Sequence, residues 1–375
     1  MTTNQKPVGV APTTHTEGNT ALASLGIDFN RRNRGRRFSL DLSEATVIQI
    51  CEAYQAMKRK ASPRYSLQGP IGVLRDMAEY ARIQAETSIP RRTWGGPYMP
   101  EDIDDEFWVD FELYIVNVPG RNGLRRHSST AETYANGIIK ALKWATTYGA
   151  TPHEMFTEKK FGKYEKAKIA LTDDQVSLIY HYDIDVKENR KKIRALAKEM
   201  KLTRFSFTSL KKVKDHFVFN CSSGQRISDS KRMTKANFTS TMVYEVTQQK
   251  TGNHARVDLR KTAVDLDTVE GILTEYDYTA PAFGMDTNAY NKLLKLLCRA
   301  IGGPFDKIIS WAYKVGGEVI WESCPIWKAI SSHWARRKFA TDRAEDGDNM
   351  LEIQRQTGHS DMRSLSKYYA PNRKR

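Results

Sequence analysis

The stretch His333-Trp334-Ala335-Arg336 lies in the last part of the chain, and Gly358-His359 and then Tyr368-Tyr369 follow it. His333 and Arg336 are three residues apart, so on a helix they share one face. An arginine offers a forked set of donors, and a histidine donates or exchanges a proton near neutral pH. The group is therefore suited to a phosphate ligand, although each residue taken singly has a plainer explanation as a surface, hydrogen-bonded or packed side chain.

A second polar stretch lies upstream and is written Ser223-Gly224-Gln225-Arg226-Ile227-Ser228-Asp229. A buried helix that begins near Phe217 is predicted to carry it. The segment Thr241 to Gln249 then alternates apolar and polar residues, turns at residues 250–253 and returns as Ala255 to Leu259. This pattern predicts a β-hairpin with Lys250, 24 residues after Arg226, at its bend.

The length and composition indicate a globular protein of two domains. The chain has 375 residues, of which 40% are hydrophobic and 27% charged, and contains no apolar run of the roughly 18 residues that a membrane span needs. Its first thirty residues lack the pattern of a secretory signal. We therefore expect a cytoplasmic protein associated with DNA and not with a membrane.

The charge and the cysteines bear on the partner. The formal net charge of +15 indicates nucleic acid, because excess Lys and Arg release counterions from a polyanion. The four cysteines have no C-x-x-C spacing, so we expect no metal site and no disulfide frame.

The N-terminal part is predicted to be an arm followed by a helical domain. Residues 1–41 have little apolar periodicity and read as a flexible basic arm that follows a phosphate backbone, or as a solvated tail without a role. The arginines of this arm are Arg31, Arg32, Arg34, Arg36 and Arg37. Residues 42–155 read as a four-helix domain, and Ser43 is the expected N-cap of its first helix.

A basic loop and a linker follow from the same pattern. Arg125 and Arg126 precede the fourth helix, Thr130 to Tyr148, where they suit phosphate contacts or serve only as solvated charges. The linker is placed at residues 156–169 and a second domain at residues 170–375, with Thr172 capping its first helix. Beyond the hairpin the remainder is predicted to be mostly helical.

These residues and their spacing resemble the tyrosine recombinases of the phage-integrase family, in the mobile-element integrase type. His333 to Arg336 matches the H-x-x-R motif, His359 follows His333 after 26 residues, and Tyr368 follows His359 after 9. Arg226 matches the arginine of the T-G-L-R box, and Lys250 matches the lysine on a β-turn. The resemblance implies a mainly α fold with a small β-sheet, in which a helical SAM-like core-binding domain precedes a mixed α/β catalytic domain.

The resemblance also implies a mechanism and a set of roles. The protein would be a site-specific recombinase that cleaves and rejoins DNA through a 3′-phosphotyrosyl intermediate, without metal or cofactor. Arg226 and Arg336 would hold the scissile phosphate, and His359 would donate to it. His333 would assist proton transfer at the nucleophile Tyr368, Lys250 would protonate the leaving 5′ oxygen, and Asp229 would orient the site. The partners would be double-stranded DNA attachment sites and, on DNA, a homo-tetramer, with a monomer or dimer when free.

Four departures from the family pattern stand out. Gln225 replaces a usual leucine, Thr357 stands where an apolar residue precedes the Gly-His pair, and Arg337 stands where a histidine often follows the arginine. Tyr369 is the alternative nucleophile, although adjacent helical residues point about 100° apart and cannot both face one phosphate. Only Tyr369 to Arg375 follow Tyr368, where many relatives have a docking helix. We therefore expect either that subunits meet through other surfaces or that this tail acts in cis as a phosphate-binding end.

Three other classes remain open at this point. A type IB topoisomerase or a telomere resolvase would use the same chemistry with a different outcome. A DNA-binding protein without catalysis would explain the charge but not the polar residues. A metal-dependent nuclease would need clustered carboxylates and magnesium.

Overall fold

The computed structural model describes residues 41–63, 65–84, 95–118, 126–159, 161, 169–202, 205–240, 242–262, 264–315 and 318–366. These residues form two compact units. The first contains the described residues before Lys166 together with the segment Ala312–Ile320, and the second contains the rest. No described helix combines the length and apolarity that a membrane crossing requires.

The first unit contains four α-helices, namely α1 (Val47–Ala61), α2 (Gln68–Gln84), α3 (Asp105–Asn117) and α4 (Ser128–Thr146). A 3₁₀ helix at Pro100–Asp102 precedes α3. Their apolar faces form one core that includes Ile50, Leu74, Phe107, Phe111 and Ile138. The helical periodicity of the sequence predicts four helices here, and the fourth, predicted at Thr130 to Tyr148, is observed at Ser128–Thr146.

The start of α1 corrects one prediction, because Thr46 and not Ser43 is the N-cap. The Thr46 hydroxyl accepts a hydrogen bond from the Gln49 amide at 3.3 Å, and the Gln49 side chain accepts one from the Thr46 amide at 2.9 Å. This reciprocal pair satisfies two amides that the first helical turn leaves without partners. Ser43 instead bonds the carboxylate of Asp41.

The second unit contains most of the helices and is built around one of them, α7 (Phe207–Ser223). The others are α5 (Asp173–His181), α6 (Lys187–Glu199), α8 (Ile227–Ser230), α9 (Leu266–Glu275), α10 (Thr287–Ile301), α11 (Ile326–Ala329), α12 (His333–Glu345), α13 (Met350–Thr357) and α14 (Met362–Ser366). Helix α7 packs against α5, α9, α10 and α12, so it is the central helix of this core. Thr172 caps α5 as predicted.

The three-stranded sheet of the second unit is antiparallel, in the order β1-β2-β3. Its strands are β1 (Phe238–Ser240), β2 (Val243–Thr247) and β3 (His254–Asp258). Strands β2 and β3 pair from Val243 opposite Asp258 to Thr247 opposite His254, which places Lys250 in the turn between them. Three 3₁₀ helices lie at Lys235–Asn237, Leu259–Lys261 and Gly303–Phe305.

The remainder of the chain is mostly helical as predicted, but it also contains a second hairpin that was not predicted. Strands β4 (Ile308–Val315) and β5 (Glu318–Pro325) form a two-stranded sheet. The sequence contains the signal for it, since β-branched and aromatic residues flank Gly316 and Gly317, a pair that favours tight hairpin turns.

Candidate active site

The first part of the candidate site is the turn that ends α7. The prediction that one helix carries Ser223 to Asp229 is wrong, because α7 ends at Ser223 and α8 begins after Arg226. Gly224 between them has a positive φ of 63°, and a Cβ there would lie 2.4 Å from the ring of Phe339. Only glycine suits this position, so the turn reverses closely against α12 and leaves Arg226 at the start of α8.

Helix α12 contributes Arg336, whose side chain is fully buried. Its Nη1 donates to the carbonyl oxygen of Gly224 at 2.9 Å, so it is joined to the turn that precedes Arg226. His333, the first residue of the same helix, is exposed. The helix therefore brings a buried cation and an imidazole to the same end of the second unit.

The third contribution comes from the end of α13. This helix ends at Gly358, which has a φ of 65°, and His359 follows as a buried residue. Arg336 Nη2 lies 3.0 Å from His359 Nε2, and His359 Nδ1 lies 2.7 Å from the hydroxyl of Thr357. The Thr357 hydroxyl donates its proton to the Ile353 carbonyl at 2.5 Å. Thr357 is therefore left as an acceptor toward Nδ1, while Arg336 Nη2 lies within hydrogen-bond distance of both ring nitrogens, 3.0 Å from Nε2 and 3.2 Å from Nδ1.

Both histidines of the cluster have lowered pKa values. Burial lowers the pKa of His359 to about 3, and the positive charges of Arg336 and Arg226 act in the same direction. Desolvation also lowers the pKa of His333, followed by the charges of Arg336, Arg337, Arg226 and Lys250. Without an anion both imidazoles are thus neutral, since a proton on either would add charge to a site that is already positive.

The glutamine Gln248 joins the turn, the hairpin and the end of α13. Its Oε1 accepts hydrogen bonds from Arg226 Nη1 and from the Thr251 hydroxyl. Its Nε2 donates to Gln225 Oε1 at 3.0 Å and to the Thr357 carbonyl. Gln248 is buried and lies at the end of β2, so the hairpin reaches the cluster through this side chain.

Lys250 lies in the hairpin turn, and Asp229 lies next to that turn. Lys250 is exposed, within the turn. Asp229 is fully buried, and its Oδ1 accepts from the Gln249 amide at 2.9 Å and from Arg232 Nη2 at 3.2 Å. The carboxylate therefore holds the residue next to Lys250 instead of contacting Arg226.

The structure thus brings together Arg226, Arg336 and His359 through direct or shared hydrogen bonds. Lys250 lies close enough for its charge to contribute to lowering the pKa of His333. Sequence reasoning missed Gln248 altogether and treated Gln225 and Thr357 only as departures from a family pattern. A signal was present, because two polar residues replace apolar ones at positions that the fold buries together, and buried polar groups need partners.

Several predicted site residues lie outside the described part of the chain. These are Tyr368, Tyr369, Arg31, Arg32, Arg34, Arg36, Arg37 and Arg125. Arg126 is described, is partly buried, and precedes His127, the N-cap of α4. Within the described residues no group of three or more His, Cys, Asp or Glu side chains is arranged to hold a metal ion.

Chemically, the cluster is suited to an anion, because it combines a buried guanidinium, a second guanidinium and a neutral imidazole, with an imidazole and an ammonium beside them. Arginine donors in a fixed fork match the oxygens of a phosphate group. Burial strengthens their interaction with such an anion, because little water screens it.

Comparison with known proteins places this geometry in a known fold. No protein-family model matches the sequence, and no curated protein matches it. Among solved structures, a lambda integrase dimer bound to a COC′ core site is similar with a TM-score of 0.53 and 15% identity, over 88% of this chain and 79% of that one. The Tn1549 transposon integrase in complex with transposon right end DNA is similar with a TM-score of 0.52 and 15% identity, over 88% of this chain and 96% of that one.

The chain therefore has the fold of the tyrosine recombinases represented by these integrases. The predicted fold class, mainly α with a small β-sheet, is confirmed.

Proposed function

We propose that this protein is a site-specific DNA recombinase, an integrase that cleaves and rejoins DNA strands through a 3′-phosphotyrosyl intermediate. The observation that carries the proposal is the contact between Arg336 and His359, which share one buried cluster with the Gly224 turn and Arg226. Residues more than 130 positions apart in sequence meet in this cluster, within the fold of the integrases. A structural role alone does not require so many positive groups at one place, because their mutual repulsion is unfavourable.

The proposed roles follow from phosphoryl-transfer chemistry, in which positioning and charge stabilisation supply most of the catalysis. Arg226 and Arg336 hold the non-bridging oxygens of the scissile phosphate. His359 contacts the same phosphate, and His333 assists removal of the proton from Tyr368. Asp229 acts indirectly by holding the turn that carries Lys250.

The reaction itself is an exchange of phosphoester bonds. The oxygen of Tyr368 forms a bond to phosphorus, and the bond from phosphorus to O5′ breaks with its electron pair on O5′. Lys250 gives that oxygen a proton, and His333 takes the proton of the tyrosine. One ester replaces another, so the energy of the phosphodiester is kept for rejoining. The step consumes neither ATP nor an oxidant.

The remaining parts of the proposal concern DNA and assembly. Residues 1–41 act as a basic arm, with Arg31, Arg32, Arg34, Arg36 and Arg37 on the phosphate backbone. Residues 42–155 act as the core-binding domain with Arg125 and Arg126 on DNA, and residues 156–169 link it to the catalytic domain. The partners are double-stranded attachment sites of a mobile element such as a phage, bound by a homo-tetramer in the cytoplasm.

The test is covalent trapping on nicked DNA. A pool of randomised duplexes, each with one nick, is incubated with the full chain in EDTA, and DNA that stays attached to protein in SDS is sequenced. A nick near the cleavage site lets the short 5′-hydroxyl fragment diffuse away, so the adduct accumulates. We expect wild type and Tyr369→Phe to enrich one sequence family and Tyr368→Phe to give no adduct.

Each result of this test has a definite reading. Loss of the adduct only in Tyr369→Phe would transfer the role of nucleophile to Tyr369. The absence of any adduct from wild type, together with retained duplex binding, would support a DNA-binding protein without catalysis. Relaxation of an unrelated supercoiled plasmid as fast as one bearing the enriched sequence would support a topoisomerase, and closed hairpin ends on cleaved duplexes would support a telomere resolvase.

A further inference from the structure

The buried side-chain amides of Gln225 and Gln248 form a pair in which every donor and acceptor atom has a hydrogen-bond partner. Gln248 makes four bonds, to Arg226, Thr251, Gln225 and the Thr357 carbonyl. Gln225 Nε2 donates to the carbonyls of Ser223 and Gln356, each at 2.8 Å, while its Oε1 accepts from Gln248. Both side chains are at most 1% exposed. The pair therefore links α7, β2 and α13 through hydrogen bonds that lie in the protein interior, away from water.

The chemistry of the partners fixes the orientation of both amides. The carbonyls of Ser223, Gln356 and Thr357 can only accept, so each must face an NH₂ group. The guanidinium of Arg226 can only donate, so it must face the Gln248 oxygen. Neither amide can be turned over without placing like groups against each other at several contacts.

The turn that carries Lys250 is held from three directions. Its own backbone is closed by the Gly252 amide, which donates to the Gln248 carbonyl at 2.8 Å. On one side Asp229 accepts from the Gln249 amide. On the other side the Gln248 side chain reaches Gln225 and Thr357, and Asn253 Nδ2 donates to the Gly358 carbonyl at 3.4 Å.

The close approach of Gln248 to the chain before His359 explains the glycine at residue 358. A Cβ on Gly358 would lie 2.4 Å from the amide carbon and nitrogen of Gln248. Any side chain at residue 358 would therefore push the Gln248 amide out of its place. The glutamine pair and the Gly358-His359 turn thus fit each other as a single packed unit.

We propose that Gln225 and Gln248 are positioning residues that keep the Lys250 turn docked beside His359 before any DNA binds. The inference rests on the proposed function, since it deepens the account of the same site. The pair fixes the distance between the group that protonates O5′ and the groups that hold the phosphate. Leaving-group protonation then needs no ordering of the hairpin during the reaction, which is the advantage of a preorganised site.

The first experiment needs no DNA. Hydrogen exchange of the full chain reports the opening of individual amides, so the Gln249 and Gly252 amides measure how firmly the turn is docked. In wild type we expect both to be protected. Gln225→Leu leaves Arg226 and Lys250 in place but removes the partner of Gln248, so turn protection should fall about tenfold or more while α7 and α12 keep theirs.

The matched control is Gln356→Met. Gln356 is also a buried glutamine on α13, but its Nε2 bonds Glu352 and not the pair. We expect this variant to leave exchange in the turn unchanged. Unchanged exchange in Gln225→Leu, or an equal loss in Gln356→Met, would overturn the proposal.

The second experiment uses a duplex recovered by covalent trapping, made with either the natural diester or sulfur in place of the 5′ bridging oxygen. A thiol has a pKa of about 8.5, so its anion leaves with much less need of a proton than an alkoxide. A general acid contributes roughly 10² to 10⁴-fold to such a step. We expect Gln225→Leu to slow diester cleavage by about tenfold or more, within that range, and to cleave the sulfur substrate at the wild-type rate.

Two further variants serve as controls, one for loss of the general acid and one for loss of phosphate contacts. Lys250→Ala should show the same restoration by sulfur, whereas Arg226→Ala should be slow on both substrates because it loses phosphate contacts. A Gln225→Leu defect that sulfur does not restore would overturn the positioning role. If wild type forms no adduct on any duplex, the proposed function fails, whereas the exchange experiment still decides whether the glutamine pair docks the turn.

Discussion

Both units have an apolar core, but among the described residues only the second unit also buries cations completely. In the first unit the aromatic rings of Phe107, Trp108 and Phe111 contact one another, with centroids 5.2 Å apart for the first two and 5.6 Å for the last two. In the second unit the helix α12 buries Arg336 and Lys338 completely, two residues apart. Burial of apolar surface is favourable without particular partners, but burial of a cation is favourable only when its partners are in place.

The difference shows which part of the molecule depends on the positions of individual hydrogen-bond partners. An aromatic core tolerates small shifts, because its interactions have little directionality. The buried cations of α12 need the Gly224 carbonyl, His359 and two aspartates at hydrogen-bond distance. The second unit thus combines the proposed catalytic site with a costly interior, as is common where stability is exchanged for function.

The largest effect is expected at Lys338, whose Nζ lies 2.5 Å from Asp173 Oδ1 and also bonds the buried Asp342. Lys338→Met leaves Asp342 buried without its cation, which should lower the free energy of unfolding by about 3–5 kcal/mol. Adding Asp342→Leu should recover most of the loss, since two apolar residues replace the pair. Urea unfolding of both variants measures this, and equal losses in the single and double variants would contradict it.

The same contrast explains how much of the fold could be predicted from the sequence. The helices of the first unit follow from apolar spacing, because each helix buries one face. The hairpin β4–β5 was missed because its residues do not alternate clearly. The end of α7 at Ser223 was missed because residues 223–229 were taken to continue the helix that contains the run from Phe217 to Cys221. In both places tertiary contacts outweigh local propensity.

The candidate site was predictable only in part. Resemblance to a family motif identified Arg226, Arg336 and His359, which the structure brings into one cluster. It could not identify Gln248, since a single glutamine near a turn has no pattern of its own. The link from Asp229 to the Gln249 amide likewise depends on how the hairpin packs, which the sequence does not specify.

The next largest effect is expected at Arg336, which is compared with Arg343 on the same helix α12. Arg336→Lys keeps a positive charge but loses the fork that reaches both Gly224 and His359, so adduct formation on a trapped duplex should slow by about 10²–10³-fold. Arg343→Lys is the matched control, because Arg343 is a buried arginine of the same helix that bonds Asp348 and the Lys261 carbonyl instead. Similar rates for the two variants would place the phosphate site elsewhere.

The pH dependence of stability tests the buried histidines of the second unit. Burial lowers the pKa of His216 to about 3, as it does for His359, and both belong to the second unit. Above pH 6.5 the folded and unfolded states are both neutral at these residues. As the pH falls toward 3 only the unfolded chain takes up protons, so stability falls by at most about 1.4 kcal/mol per pH unit for each histidine.

The measurement is urea unfolding between pH 6.5 and 5, above the range where most carboxylates titrate. His359→Gln should flatten the slope by the share of one histidine. A slope that His359→Gln does not alter would mean that His359 is protonated in the folded protein.

The smallest effect is expected at Thr46, the N-cap of α1. Thr46→Ala removes the hydroxyl that accepts from the Gln49 amide, so the free energy of unfolding should fall by about 1 kcal/mol. Ser43→Ala should change it by less than about 0.5 kcal/mol, because Ser43 is exposed and bonds only Asp41. Hydrogen exchange in the first turn of α1 shows whether the loss is local. Equal losses at both positions would mean that helix capping does not decide where α1 begins, and that the order of the first unit depends on its aromatic core alone.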